Sequence, residues 1–411
     1  MQSQMIESHD PIEKLASDSR LTDKQAASKA IETLHTWLID SALPFWCRHG
    51  VDWRNGGFHE SLNADGEPIE SPRRTRCIAR QIYAFSVGKE LGWQGDSAAL
   101  VSHGLEFLQR HLVNHDGNVA MGVELPEATL NNHHDPYDYA CVLFALAQVN
   151  RQSPQANQHA DELAARIRNR LFKDWRHQDA GFREDPHERH YLRANPHMHL
   201  LEAFLAWEEL AKEQDRSWAA ESDKIAELAL NRLIDKQTGA ISEFFNNNWL
   251  PEKELKDQTI EPGHLFEWSW LLSEWGRRRN SEQALKHALE LTCLGEKHGI
   301  DLIRGVAINS LEGTFSPLNK KARLWPQTER IKAWHAILHS PELSCEQREN
   351  AERSLILAIA GLQAYFKTSP LGSWHEEMNL NGQFSAKPMQ ASGLYHLTLA
   401  VHTLVKRQDQ T

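Results

Sequence analysis

The chain has 411 residues and a formal net charge of -11, with no basic stripe or polybasic run, which excludes a nucleic-acid partner and an anionic membrane surface. Apolar residues make up 40% and charged residues 25%, the balance of a folded globular protein, and no apolar run approaches the ~18 residues of a membrane span. Its five cysteines, Cys47, Cys77, Cys141, Cys293 and Cys345, are widely spaced and lack any C-x-x-C pair, so neither a disulfide framework nor a zinc cluster is expected and a reducing cytoplasm is the predicted setting.

Residues 1–25 are polar and mixed in charge, without the apolar stretch of a signal peptide, and are expected to form a flexible N-terminal segment. No Ser/Gly/Pro-rich linker divides residues 26–407, which predicts one large domain. Helical periodicity opens with ASKAIETLHTWLIDSALPFW and continues through IARQIYAFSVGKELGW, AALVSHGLEFLQRHLV, HADELAARIRNRLF, HLLEAFLAWEELAKE, DKIAELALNRLI, HLFEWSWLLSEWGRR, SEQALKHALELTCL and ERSLILAIAGLQAYF. Each places apolar residues at i, i+3, i+4 and i+7. Strand signals are short and confined to glycine-centred loops such as GFHESLNADG at 57–66 and SWHEEMNLNG at 373–382, which end in hairpin chemistry.

Two interleaved series give the chain its period. Arg80, Asp138, His199, His264, Glu329 and His396 each stand near the start of an apolar helical run, at steps of 58, 61, 65, 65 and 67 residues. Gly57, Gly117, Gly181, Gly239, Gly305 and Gly372 mark the loops between them, at steps of 60, 64, 58, 66 and 67. Six units of two helices and one hairpin-like loop predict an all-α fold closed into an α/α barrel, since no unit can bury its own apolar face. Runs such as HLFEWSWLL are apolar nearly all round and belong in an inner ring, while HADELAARIRNRLF keeps a charged face for an outer ring. The six polar residues would then share one mouth.

Within that series, H-L-L-E (His199, Glu202) and H-L-F-E (His264, Glu267) put a carboxylate three residues beyond an imidazole on one helix face. Such a neighbour raises the proton affinity of histidine, as acid–base work near neutrality requires. Among 23 histidines a lone pair of this kind is usually a surface pair, but two of them one repeat apart, both entering apolar helices, point to function. His396 has no carboxylate close behind it, so its partner must come from elsewhere in the fold. Arg80, in the otherwise apolar IARQIYAF, is costly to bury without a role, whereas Arg73, Arg74 and Arg76 read as a solvated rim. Asp138 reads either as the carboxylate complementing its helix dipole or, with Tyr137, as a substrate contact. Trp325 and Glu329, four apart on one face, suit a sugar ring and its hydroxyls, and Trp374 is placed at the mouth beside them. A metal held by His199, His264, His396 and Glu267 is the rival use of these residues, but there is no H-E-x-x-H and the histidines lie on different helices.

The segments RTRCIARQIYAFSVGKELGW, ANPHMHLLEAFLAW, EPGHLFEWSWLL, WPQTERIKAW and GSWHEEMN followed by GLYHL resemble the N-acylglucosamine 2-epimerase superfamily, which includes cellobiose 2-epimerases and bacterial mannose and aldose-ketose isomerases. The resemblance runs from about residue 26 to 407 and implies an (α/α)6 barrel with short β-hairpins in the connecting loops. It also implies that His264, with Glu267 as its carboxylate, and His396 are the acid and base that move the proton beside the sugar carbonyl. Asn195, His199 and Glu202 would serve ring opening and substrate contact, Arg80 would stabilise the enediolate, and Trp325 and Glu329 would touch the sugar. No cofactor is implied. The expected partner is a monosaccharide, bound by a monomer or homodimer. Block style and length, together with PMQASG before Tyr395, favour mannose–fructose isomerisation over 2-epimerisation, the alternative on the same residues. A glycoside hydrolase using Asp138 and Glu329 is a third reading.

Overall fold

The computed structural model describes residues 23–125, 127–152, 158–185, 191–212, 215–252, 258–341 and 343–408. Residues 1–22, most of the segment expected to be loose, lie outside the described residues, and helix already begins at Asp23.

Helices alternate between two rings. The outer ring consists of α1 (Asp23–Trp37, running through a π-helical turn Leu38–Ala42 into Leu43–His49), α3 (Ser97–Phe107), α5 (Gln158–Asp174), α7 (Ser217–Leu228), α9 (Glu282–Gly299) and α11 (Cys345–Gln363). The inner ring consists of α2 (Thr75–Glu90), α4 (Pro136–Gln152), α6 (Ala194–Leu210), α8 (Pro262–Arg279), α10 (Trp325–Leu338) and α12 (Ala391–Gln408). Each inner helix packs on the next, and α12 returns to α2 and α1, so the ring closes. The expected polarity contrast is present: α8 is buried on nearly every side from Pro262 to Gly276, whereas α11 buries only the stripe Ala351, Ser354, Leu355, Ala358, Ile359 and Leu362. Structural neighbours described below share this (α/α)6 architecture. Among the described residues, no helix is long and apolar enough to cross a membrane, and all five cysteines are free thiols.

Short strands stitch the repeats together at one end. The extended residues before an inner helix pair antiparallel with the hairpin loop of the following repeat: Arg73–Arg74 with Gly122–Glu124, Leu192–Arg193 with Phe244–Phe245, and Ala322–Arg323 with Glu377–Met378. Ile260 and Leu311 make the same connection as a single bridge. Pairing of Ser61–Leu62 with Met389–Gln390 joins the first loop to the last and closes the circle. The glycine series has a backbone cause: Gly57, Gly117, Gly181, Gly239, Gly305 and Gly372 have φ of +71, +81, +72, +75, +68 and +84°, a region costly for a residue with a Cβ.

All six inner helices point their N-termini at the stitched end. The opposite end carries a cavity of about 900 Å³ lined by Arg151, Arg277, Arg278, Arg279, Lys406 and their carboxylate partners. There Arg278 donates to Leu205 O (2.7 Å) and Arg277 to Ala336 O (3.3 Å). These cations satisfy the negative C-terminal ends of the inner helices, and although that cavity is the larger one, the residues singled out by period lie at the other mouth.

Candidate active site

At the N-terminal mouth a cavity of about 480 Å³ is lined by Arg80, Tyr137, Asn195, His199, His264, Glu267, Trp325 and His396, with Arg74, Arg323, Lys387 and Glu376 nearer its opening. That size suits a monosaccharide. It draws one or more side chains from each of the six inner helices. The Trp325 indole lies between the two histidines, its ring 5.0 Å from that of His264 and 5.7 Å from that of His396.

The two imidazoles have opposite electrostatic surroundings. His264 Nδ1 is 2.8 Å from Glu243 Oε2. Burial works against the charged ring, but Glu243 foremost, with Glu261 and Glu267, outweighs it and raises His264 to about 9. Burial raises Glu243 as well. Asn195 Nδ2 is 3.1 Å from His264 Nε2, while Asn195 Oδ1 has no hydrogen-bond partner. Turning that amide over lets Oδ1 accept from the imidazolium, and the existing orientation serves the neutral ring. His396 is the reverse case: burial, with help from Arg80 and Lys332, prevails over Glu329 and lowers it to about 4. Its Nδ1 lies 2.9 Å from Glu329 Oε1. Glu329 is held down at about 2 because Lys332 and the His396 contact overcome its own burial.

Arg80 donates from Nη2 to Tyr137 OH (2.6 Å), and its guanidinium lies 4.5 Å from the Tyr395 ring centroid. His199 packs on Tyr137, with ring centroids 4.7 Å apart, and its Nδ1 meets Glu202 Oε2 at 3.1 Å. Burial and Arg80 hold His199 well below the usual imidazole range, hence neutral. Both Glu267 oxygens are buried without a hydrogen-bond partner, and burial, with Glu329 nearby, raises its carboxyl to about 8.

Several expectations about position are corrected. The carboxylate paired with His264 is Glu243 from the preceding loop, whereas Glu267, on the same helix, leans towards His199 (Oε1 to Nδ1 3.7 Å). Glu329 does not face the cavity; it is fully buried behind His396, between that ring and Lys332. Glu202 likewise lies beneath His199, where its Oε2 also accepts from Tyr395 OH at 2.7 Å. Asp138 is buried behind Arg76, accepting from its backbone N and guanidinium. The hydrolase reading thereby loses both of its carboxylates to buried partners. Trp374 is not at the mouth and does not line the cavity: it is buried, stacks on Trp46 at 5.3 Å, and donates to Glu376 Oε2 (3.3 Å). Of the three arginines read as a rim, only Arg74 is well exposed; Arg73 is buried against Asp52, and Arg76 is held by Asp135 and Asp138.

His199, Glu202 and Glu267 each offer a ligand atom within 4.8 Å of the others, so a cation could be held there in principle. The fit is poor, because Lys332 and Arg80 already act on Glu202 and Tyr395 occupies its Oε2. Sequence reasoning missed Glu243, Glu261, Lys332 and Glu376. For Glu243 there was a signal: four residues after its glycine it repeats the placement of Glu60 and Glu184, three residues after theirs, and each of these binds the residue at or near the start of an inner helix, namely His264, Arg74 and Arg193.

The chain is similar to known proteins over most of its length. The "Mannose-6-phosphate isomerase" of Rhizobium meliloti (strain 1021) is 37% identical over 90% of this chain and 95% of its own length. The solved structure of a D-mannose isomerase superposes with a TM-score of 0.81 at 17% identity, over 91% of this chain and 98% of the other. Cellobiose 2-epimerase from Bacillus thermoamylovorans B4167 superposes with a TM-score of 0.80 at 19% identity, over 92% of this chain and all of its own. Residues 56–400 match N-acylglucosamine 2-epimerase (GlcNAc 2-epimerase), and the chain belongs to that family of sugar epimerases and isomerases.

Proposed function

We propose that the protein is an aldose–ketose isomerase that interconverts D-mannose and D-fructose through an enediol. The observation that carries this reading is a pair of imidazoles, one held charged and one held neutral, on either side of Trp325 at a single sugar-sized cavity. With the hexose ring opened, neutral His396 takes the proton from C2 through Nε2, the nitrogen not engaged by Glu329. The electron pair moves into a C1–C2 double bond, and the oxyanion at O1 is met by Arg80 and the His264 imidazolium. Proton return to C1, with the hydroxyl proton passing from O2 to O1, yields the ketose. Return to the other face of C2 would give the epimer, using the same residues.

The charge at the opening favours an unphosphorylated sugar. Arg74 and Arg323 are each paired with a carboxylate, Glu60 and Glu261, and Lys387 shares Glu377 with Lys321, so a phosphate would have to displace an ion pair. Preference for isomerisation over epimerisation is supported by the D-mannose isomerases among the relatives, including one from Thermobifida fusca, 25% identical over 83% of this chain. The test is incubation of D-mannose in heavy water followed by NMR. Fructose labelled at C1 is the expected product; glucose labelled at C2 would show an epimerase, and a substrate used only as its 6-phosphate would overturn the choice of sugar.

A further inference from the structure

Resting on the acid–base reading above, we propose that Lys332 is a positioning residue for His396: its ammonium keeps the Glu329 carboxylate charged, and that carboxylate holds the imidazole as the Nδ1–H tautomer, leaving Nε2 for the sugar. The three groups form one line across two inner helices. Lys332 Nζ is 2.6 Å from Glu329 Oε2, and Glu329 Oε1 is 2.9 Å from His396 Nδ1. Lys332 and Glu329 are both fully buried on α10. A lysine in such a place is unusual and needs a paired charge. Its ammonium also lies 3.8 Å from the Trp270 ring centroid, which gives it a second anchor on α8.

Three carboxylates crowd this layer, Glu329, Glu202 and Glu267, and they cannot all be charged. The position of Lys332 decides which one is. Glu329 has the ammonium 2.6 Å away and is held at about 2, whereas Glu267 meets the His199 ring at 3.7 Å and is pushed up to about 8. A protonated Glu329 could donate to His396 Nδ1 as readily as accept from it, and would thereby lose the power to select a tautomer. Arg80 of α2 also acts on this layer, but it is bonded to Tyr137 and makes no contact with Glu329 in that line.

The test uses the full chain labelled with 15N-histidine, His396 being assigned by its loss in His396→Gln. In the parent, His396 should show a protonated Nδ1 and an unprotonated Nε2 at neutral pH. Lys332→Met should shift it towards a mixture of tautomers and lower kcat for C2 proton exchange by ~100-fold, with KM within about threefold, since positioning of an acid–base group is worth about that much. Glu329→Gln with Lys332→Met should lose no more than the worse single variant, because both act through one contact. A folded Lys332→Met that retains the Nδ1–H tautomer, or losses that multiply in the double variant, would overturn the proposal. If Lys332→Met does not fold, the double variant, which leaves neither charge buried, carries the test, and a retained Nδ1–H tautomer there refutes it. The tautomer is read without turnover, so a parent that exchanges no C2 proton defeats the isomerase reading while the NMR result still decides the role of Lys332.

Discussion

Replacing Glu243 with Gln removes the carboxylate 2.8 Å from His264 Nδ1 while keeping its size. The parent ring stands at about 9 instead of 6.5, which is worth about 3 kcal/mol of proton affinity at ~1.4 kcal/mol per tenfold change. Without Glu243 the opposing effect, burial, dominates, and His264 should fall to or below its ordinary value. The imidazolium that meets the enediolate would then be absent at pH 8. In the parent, activity should rise as His396 loses its proton near pH 4 and fall as His264 loses its own near pH 9. Glu243→Gln should leave the acidic limb in place, move the basic limb down to about 6.5 or lower, and reduce kcat/KM at pH 8 by ~100-fold. Stability should follow the same proton. Because His264 holds it more tightly folded than unfolded, the stabilisation is present in full below about 6.5 and is lost as pH rises through about 9; in the variant that pH dependence should disappear. The assay is the rate of deuterium entry from heavy water at each pH, beside thermal melts. A folded Glu243→Gln whose basic limb stays near 9 would refute the assignment of His264 as the charged partner.

Further outcomes follow from the same geometry. His396→Ala should abolish C2 exchange while circular dichroism and melting stay close to the parent; retained exchange removes His396 from the chemistry. Trp374→Ala should destabilise the fold by ~3–5 kcal/mol, the cost of emptying a large buried site, and denaturant unfolding with no such loss would contradict its buried packing against Trp46 and Gly393. Gly372→Ala should cost clearly more than Gly305→Ala, since a Cβ at 372 would come within 2.4 Å of Ser41 O, whereas at 305 nothing lies within 4 Å. At Gly305 only the positive-φ strain of ~1 kcal/mol remains, and equal losses of melting temperature would refute that distinction. Dialysis against EDTA should leave turnover unchanged, because Lys332 and Arg80 already act on Glu202 and Tyr395 occupies its Oε2; loss of activity restored by a divalent metal would show the opposite.

Much of the architecture was legible because repetition leaves local marks. The positive-φ glycines recur at one point of each unit, and helices apolar on every side can only be inner ones, so ring order and the shared mouth could be read from periodicity. The histidines were legible for the same reason: His199, His264 and His396 each stand in the first two turns of an inner helix that opens on that mouth. Partner assignments were not. Spacing of i and i+3 places His264 and Glu267 on one face of α8, yet the closer carboxylate is Glu243, brought in by a loop about twenty residues earlier. Glu329 looked like a sugar contact because it stands four residues from Trp325, but the turn of α10 carries it inward onto Lys332 and His396.

What the amino-acid sequence determined by itself, then, is the number of repeats, the alternation of inner and outer helices, and the set of imidazoles gathered at one end, since each depends on short-range pattern and on which faces must avoid water. Only the tertiary structure decided which carboxylate serves which histidine, and therefore which ring is charged. Proton affinity in a buried site is set by groups within a few ångströms in space, and here those groups come from different repeats: Glu243 for His264, and Glu329 with Lys332 for His396.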